Sequence, residues 1–209
     1  SAMGSKQLVM LTTEQVAALP TGQVQSLDSV QFASLTTGQV VALDTQQWSS
    51  VATNALSGLT AIQAAAMQTS DLQAFNTQQV RVLSSGALSG LSTAQIGKLT
   101  TQQLSALTTN QVQALSSTQF RALGTEHMVS LTTQQAAALR VDQLNGLTTD
   151  QMAALETADL VSLTESLFTS LNATQIQALT TLQVASLTTD QVAALTVAQI
   201  PFMETRDVR

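Results

Sequence analysis

Leu187-Thr188-Thr189-Asp190-Gln191-Val192-Ala193-Ala194, followed by Leu195, is an eight-residue phrase. Leu11-Thr12-Thr13-Glu14-Gln15-Val16-Ala17-Ala18 is the same phrase near the other end of the chain, in the same register. Stepping by eight from Leu11 to Leu195 meets Leu at 21 of 24 positions, with Val51, Met67 and Phe75 at the others. Stepping by eight from Val16 to Ile200 meets an apolar residue at all 24 positions. Gln precedes that residue in 18 of the 24 phrases. No insertion or deletion interrupts the count. Such strictness predicts that each phrase stacks on its neighbours, as in a solenoid.

A repeat of eight does not fit one continuous helix. At about 100° per residue, eight residues leave an apolar stripe roughly 80° out of phase, so the stripe would wind around the helix within a few phrases. Heptad and 11-residue coiled coils are excluded on the same ground. The chain must change direction once per phrase.

The residues specify that change. Thr12 and Gln15 stand in the spacing of a capping box, and Leu11 and Val16 in that of a hydrophobic staple. Ser, Thr, Asp or Asn fills the Thr12-type position in 18 of 24 phrases, and Ser or Thr fills the Thr13-type position in 19. Either hydroxyl can satisfy an orphan amide at a helix start, so both positions are candidates for the cap. Ala, Gln and Leu after the cap favour helix. The expected unit is a helix of about five to seven residues, unstable in isolation and held by stacking. Small residues before each Leu (Ala18, Ser26, Ser34, Ala42, Gly58, Gly90) allow close backbone approach.

The fold expected is therefore all-α: an α-solenoid of very short capped helices, one per phrase, with two phrases per superhelical coil and Leu and Val inside. The alternative is a β-solenoid with Thr in flat ranks. Against it, Leu11 and Val16 are five apart and would point to opposite faces of one strand. Nine Gly are also few for the many corners a β-solenoid needs.

The chain has 209 residues, 44% of them hydrophobic and 10% charged, with a formal net charge of −6. Thr, Ser and Gln must supply solvation in place of the usual charge. The seven basic residues (Lys6, Arg81, Lys98, Arg121, Arg140, Arg206, Arg209) are scattered, which excludes a basic stripe for nucleic acid. No apolar run is long enough for a transmembrane helix. With no Cys, disulfides and thiolate metal sites are excluded. Residues 1–5 (Ser1-Ala2-Met3-Gly4-Ser5) read as an expression-tag scar, and residues 6–209 as a single octapeptide-repeat solenoid cut from a longer array.

Candidate chemistry is sparse. His127 is the only His and occupies a Gln position, where its ring is expected to imitate the Gln hydrogen bond. A lone His builds no zinc site and has no orienting partner for catalysis. Asp28, Asp44, Glu14, Asp142, Asp150 and Asp190 fall at or near helix starts, where the helix dipole favours them. Met10, Met67, Met128, Met152 and Met203 mostly hold apolar positions, and Trp48 a Val position. No catalytic, cofactor-binding or metal-binding residue is assigned, and no cofactor is expected. Two stretches diverge from the phrase. Residues 44–75 carry Ala55 and Asp71 in place of Gln; residues 156–171 carry Asp159 and Leu167 there.

The phrase Leu-Thr-Thr-x-Gln-Val-x-Ala resembles octapeptide tracts of very large bacterial repetitive proteins of surface or adhesin-like type, some labelled for haem utilisation. The resemblance covers Leu8 to Val208 and implies an extended, extracellular or cell-surface segment. It gives no support for haem, since His127 stands alone and the chain has no Cys or Tyr. The expected function is a structural or interaction module, a rigid spacer or binding rod within a larger bacterial protein. The alternative is binding of an ordered surface, ice or polysaccharide, through ranked Thr and Gln. Expected partners are neighbouring domains or a surface ligand, with end-to-end self-association where apolar faces are left open; no enzymatic activity is expected.

Overall fold

The computed structural model describes residues 4–203. Within them the chain forms 24 short α-helices, from Ser5–Val9 to Thr189–Ala193, then a 3₁₀ turn at Ile200–Phe202, with no strand among the described residues. Most helices have five or six residues; Thr53–Leu56 and Thr93–Ile96 have four. The β-solenoid is excluded for these residues. Gly4 and Ser5, read as part of a tag scar, take the N-cap and first helical position of the first helix.

The Thr12-type residue is the cap. In helix Thr109–Ala114, Thr108 has extended backbone (φ −70°, ψ 159°) and its hydroxyl accepts from the Gln111 amide at 3.2 Å. Gln111 Oε1 in turn accepts from the Thr108 amide at 2.8 Å. Two of the helix's orphan donors are thereby satisfied within one phrase. The Thr13-type residue, Thr109 here, is the first helical residue.

Most helices end without glycine; Gly97 and Gly146 are C-caps and Gly90 a last helical residue, all with ordinary negative φ. The Leu amide returns to the carbonyl of the Val-type residue, as from Leu115 to Val112 at 3.2 Å, tightening the last turn. The Leu itself then swings to extended backbone, φ −67° and ψ 135° at Leu115. No described residue has positive φ. The corner is made by ordinary residues, which is why few Gly suffice. At the last phrase Pro201 has no amide to continue an α-helix, and the shorter 3₁₀ turn forms.

The chain divides into two compact units, Ser1–Leu115 and Ser116–Arg209, each with the same internal construction. In the first unit, helix Ser5–Val9 packs on Ser29–Ser34 and Thr13–Ala17 on Thr37–Ala42. In the second, Thr133–Ala137 packs on Thr157–Ser162. Helix packing thus recurs every third phrase, and the side-chain bonds between coils described below span 28 to 31 residues. Each coil therefore holds between three and four phrases. The expectation of two is corrected: it would pair residues 16 apart, and each phrase turns the chain by less than that requires.

The two apolar ranks line the interior, as expected. Val40, Trp48, Leu56 and Val80 are fully buried in the first unit, and Phe120, Met128, Leu144 and Phe168 in the second. Burying a side chain of this kind contributes about 1.5–3 kcal/mol, and two per phrase offset the poor intrinsic stability of helices this short. Trp48 lies between Phe32 and Phe75, each 5.6 Å away centroid to centroid, with interplanar angles of 69° and 56°. Within residues 44–75, Phe75 in place of Leu is thus a ring packed against Trp48. The indole Nε1 is buried without an acceptor.

Candidate functional site

Among the described residues, the Gln rank is the most frequent polar feature of the interior. Gln103 Oε1 accepts from the Thr100 amide at 2.9 Å, closing the capping box of its own helix. Its Nε2 donates to the carbonyls of Leu72 and Phe75, each at 2.8 Å, on the coil before. Gln95 does the same with Ala64 and Met67 at 2.8 Å. Gln111 reaches Val80 at 2.9 Å and Leu83 at 2.8 Å. In the second unit Gln183 reaches Met152 at 2.9 Å and Leu155 at 2.8 Å.

The separations of 28 and 31 residues recur in both units. The carbonyls engaged lie at the C-terminal ends of the short helices, where acceptor capacity is left over: Leu72 O takes the Phe75 amide at 3.2 Å and has a second lone pair for Gln103. One side chain thus serves the start of one helix and the end of another. The amide is buried: Gln103 is 2% exposed and Gln143 fully enclosed. Gln15 and Gln23, with no coil beneath them among the described residues, are exposed; Gln15 still closes its cap with Thr12, whereas Gln23 follows Pro20, which has no amide to offer it.

The eight-residue pattern places Gln at helix starts and is compatible with ladders of Gln along the array. Capping and bridging are present in the same residue. What the pattern does not reveal is that Nε2 bonds backbone rather than other Gln, because a 28- or 31-residue spacing is invisible in a phrase of eight.

His127 behaves as a shorter Gln. The Gly124 amide donates to its Nδ1 at 3.0 Å, where Gln would offer Oε1. This places the ring proton on Nε2. Nδ1 also lies 3.4 Å from Glu126 Oε1, but an atom that accepts the amide proton is not the cation of an ion pair. The ring is buried, 2% exposed.

Leu167 is a buried apolar replacement; the other four departures from Gln are of two kinds. Ala55 and Ala87 each open the sequence Ala-Leu-Ser-Gly-Leu, at residues 55–59 and 87–91. There the coils approach most closely through glycine. A Cβ on Gly58 would stand 2.1 Å from the Ser29 carbonyl oxygen, and one on Gly90 2.4 Å from that of Ala61. Removing the bulk of Gln and of the small residue together lets the backbones meet. Asp71 and Asp159 are the second kind, each 2% exposed. Thr45 Oγ1 donates to Asp71 Oδ1 at 2.9 Å, and burial raises the Asp71 carboxyl above the usual range. Asp159 is raised by burial too, with the Thr133 hydroxyl opposing it. In both cases Oδ2 is buried without a hydrogen-bond partner.

On the outside, Thr residues such as Thr13, Thr37, Thr45, Thr77 and Thr93 are exposed at the first helical position. Of the Thr and Gln ranks expected for an ordered surface, Thr faces solvent, whereas Gln is buried in all phrases from Gln31 onward that carry it. Asp142 is held below the usual carboxylate range by the Arg140 guanidinium, whose Nη2 donates to Oδ2 at 2.7 Å. No helix among the described residues is long and apolar enough to cross a membrane. No group of three His, Asp or Glu able to hold a metal ion gathers among them.

A solenoid of short helices, one per eight-residue phrase and tied by buried Gln, defines a repetitive structural module. The ALTTAQ repeat family model matches residues 64–101, 96–133, 152–197 and 171–205, together more than half of the chain. The chain belongs to the ALTTAQ repeat family. No curated protein matches the sequence.

Proposed function

We propose that this array is a stiff, extensible spacer within a larger bacterial surface or secreted protein. The observation that carries this reading is the Gln bridge: the repeated interior polar side chain is largely consumed in joining one coil to the next. Stability in such an array is a sum over neighbouring coils, so whole phrases can be added without redesign. The exposed positions are mostly small and uncharged, which suits a segment that holds other parts apart. No catalysis is assigned to the chain; turnover abolished by His127→Ala would overturn that. Val192 and Ile200, more than half exposed at one end, support end-to-end association as a further role.

The test is an insertion pair within residues 1–115. One variant gains whole phrases in phase; the other gains a single alanine after Leu83. The spacer reading expects the first to lengthen by small-angle scattering and to keep a cooperative melt. It expects the second to lose stability, because the coil that follows is shifted against its carbonyls. A protein indifferent to both insertions contradicts the reading.

The exposed Thr ranks support a second reading, binding of an ordered surface such as ice or polysaccharide. Thermal hysteresis of the purified protein tests the ice version. A freezing point equal to the melting point sinks it.

A further inference from the structure

Asp71 and Asp159 stand where Gln elsewhere donates to two carbonyls of the coil before. The corresponding carbonyls are those of Val40 and Leu43 for Asp71, and of Met128 and Leu131 for Asp159. None of them receives a side-chain amide, although the Met128 carbonyl accepts the Leu131 backbone amide at 3.4 Å. A carboxylate offers no proton to them, and ionised it would set its own negative charge against the carbonyl dipoles in a site closed to water. The two sites lie in different units yet share their details. Each Asp has a Thr 26 residues earlier whose hydroxyl serves one carboxyl oxygen. Each Oδ2 is buried with no partner. Each helix starts on a residue, Gln68 or Glu156, whose side chain makes no cap bond.

We propose that Asp71 and Asp159 enter the fold as neutral carboxylic acids, and that each Oδ2–H replaces the amide N–H of Gln as the donor to the preceding coil. The two seams are then proton-operated: closed when the carboxyl is protonated and loosened when the proton leaves. Thr45 donates to Oδ1, which leaves Oδ2 as the oxygen that carries the proton.

The charged surroundings agree. Helix Thr69–Gln73 packs on Thr45–Ser50 and Thr93–Ile96. The charge facing Asp71 from these is Asp44, at the cap of the first, and it disfavours a second negative charge. Lys98 follows the other helix, and its carbonyl accepts from Gln73 Nε2 at 2.8 Å. Of the helices next in sequence, Ala61–Ala66 has no charged residue and Thr77–Arg81 has Arg81. Helix Thr157–Ser162 packs on Thr133–Ala137 and Thr181–Ala185, neither of which contains a titratable residue. Its own Glu156 again disfavours ionisation of Asp159. The helix Thr125–Val129, which supplies the Met128 carbonyl, carries Glu126 and His127. The neighbours in sequence, Thr149–Ala154 and Glu165–Thr169, carry Asp150 and Glu165.

The direction with pH follows from linkage. A carboxyl that titrates higher folded than unfolded binds its proton more tightly in the fold. Its stabilisation is present below the unfolded value and is lost as pH rises through the folded one. The two seams are firmest in acid and weaken toward neutral pH.

Two measurements on the whole chain test this. The carboxyl carbons of protein labelled at aspartate are followed by NMR against pH, in wild type and in D71Q/D159Q. Two of the eight aspartates are expected to titrate above all the others, and both signals are absent from the variant. Thermal melts between about pH 5 and about pH 8 supply the second readout. The variant is expected to melt higher than wild type at the upper pH, since it restores the Gln donor, and to gain less on acidification. Ordinary midpoints for all eight aspartates would overturn the proposal. So would a wild-type melt at the upper pH that rises with potassium, sodium or calcium chloride over choline chloride at equal ionic strength. That result would mean that a cation fills the seam in place of the proton.

Discussion

A Cβ placed on Gly90 stands 2.4 Å from the carbonyl oxygen of Ala61, 29 residues earlier on the neighbouring coil. Gly58 and Ser29 repeat the relationship at 2.1 Å. Both glycines follow an Ala at the Gln position, so the missing amide bridge and the missing Cβ belong to one local solution. The obstacle is backbone in each case and cannot rotate away.

Gly90→Ala is therefore expected to cost about 1–3 kcal/mol, as overpacking does. Gly22→Ala, where nothing lies within 4 Å of the added atom, is expected to be neutral or stabilising by about 0.5–1 kcal/mol, from helix propensity and reduced unfolded-state entropy. Urea denaturation of the two variants makes the comparison. Equal effects would remove the close-approach argument.

The Gln bridge gives a second contrast. Gln103→Ala strips donors from the Leu72 and Phe75 carbonyls and an acceptor from the Thr100 amide, and is expected to cost about 1–3 kcal/mol. Gln15→Ala, at an exposed position that only closes a cap, is expected to cost less. Ala106→Gly in the Gln103→Ala background copies the pairing of Ala87 with Gly90. A double-mutant cycle is expected to show coupling of about 0.5 kcal/mol or more in the rescuing sense. Strict additivity would mean that the Ala–Gly pairing has no energetic basis.

The cap assignment separates adjacent threonines. Thr108→Ala removes the hydroxyl that accepts from Gln111 and is expected to cost about 0.5–2 kcal/mol. Thr109→Ala, at the first helical position, is expected to fall within about 0.5 kcal/mol of wild type. A reversed order in thermal melts would place the cap one residue later.

The exposed acid Asp142 makes a prediction opposite in sign to that for the buried ones. Hydrogen bonding from Arg140 holds its carboxyl low, so its small stabilisation is present above the ordinary aspartate range and is lost as pH falls through the lowered value. The pair is solvent-exposed and is worth at most about 1 kcal/mol. Arg140→Gln is expected to move the Asp142 midpoint upward in a carboxyl titration, and added salt to shrink the difference. An unchanged midpoint would show that the contact is not populated in solution.

Much of this was legible in the sequence because its signals are local. The Thr12–Gln15 spacing names the cap, and the paired ranks from Leu11 and Val16 name the core. The small residues at Gly58 and Gly90 announce close approach. His127 was legible as a Gln substitute for the same reason. The coil size was not, because it depends on the turn made at each Leu corner, and no residue in the phrase encodes 28 or 31. The burial of Asp71 and Asp159 followed the same pattern. In the sequence they are two acids among thirteen; only the fold shows that each is buried with one carboxyl oxygen unpartnered.

Side-chain amide exchange on protein labelled at glutamine tests the central claim most directly, that Gln joins each coil to the one before. The account predicts that the Nε2 protons of Gln39, Gln63, Gln103 and Gln183 exchange slowly, in step with the backbone amides of the core. Those of Gln15 and Gln23 are predicted to exchange as fast as free glutamine. Uniformly fast exchange at every Gln would contradict the bridge and, with it, the stacking that makes helices this short stable.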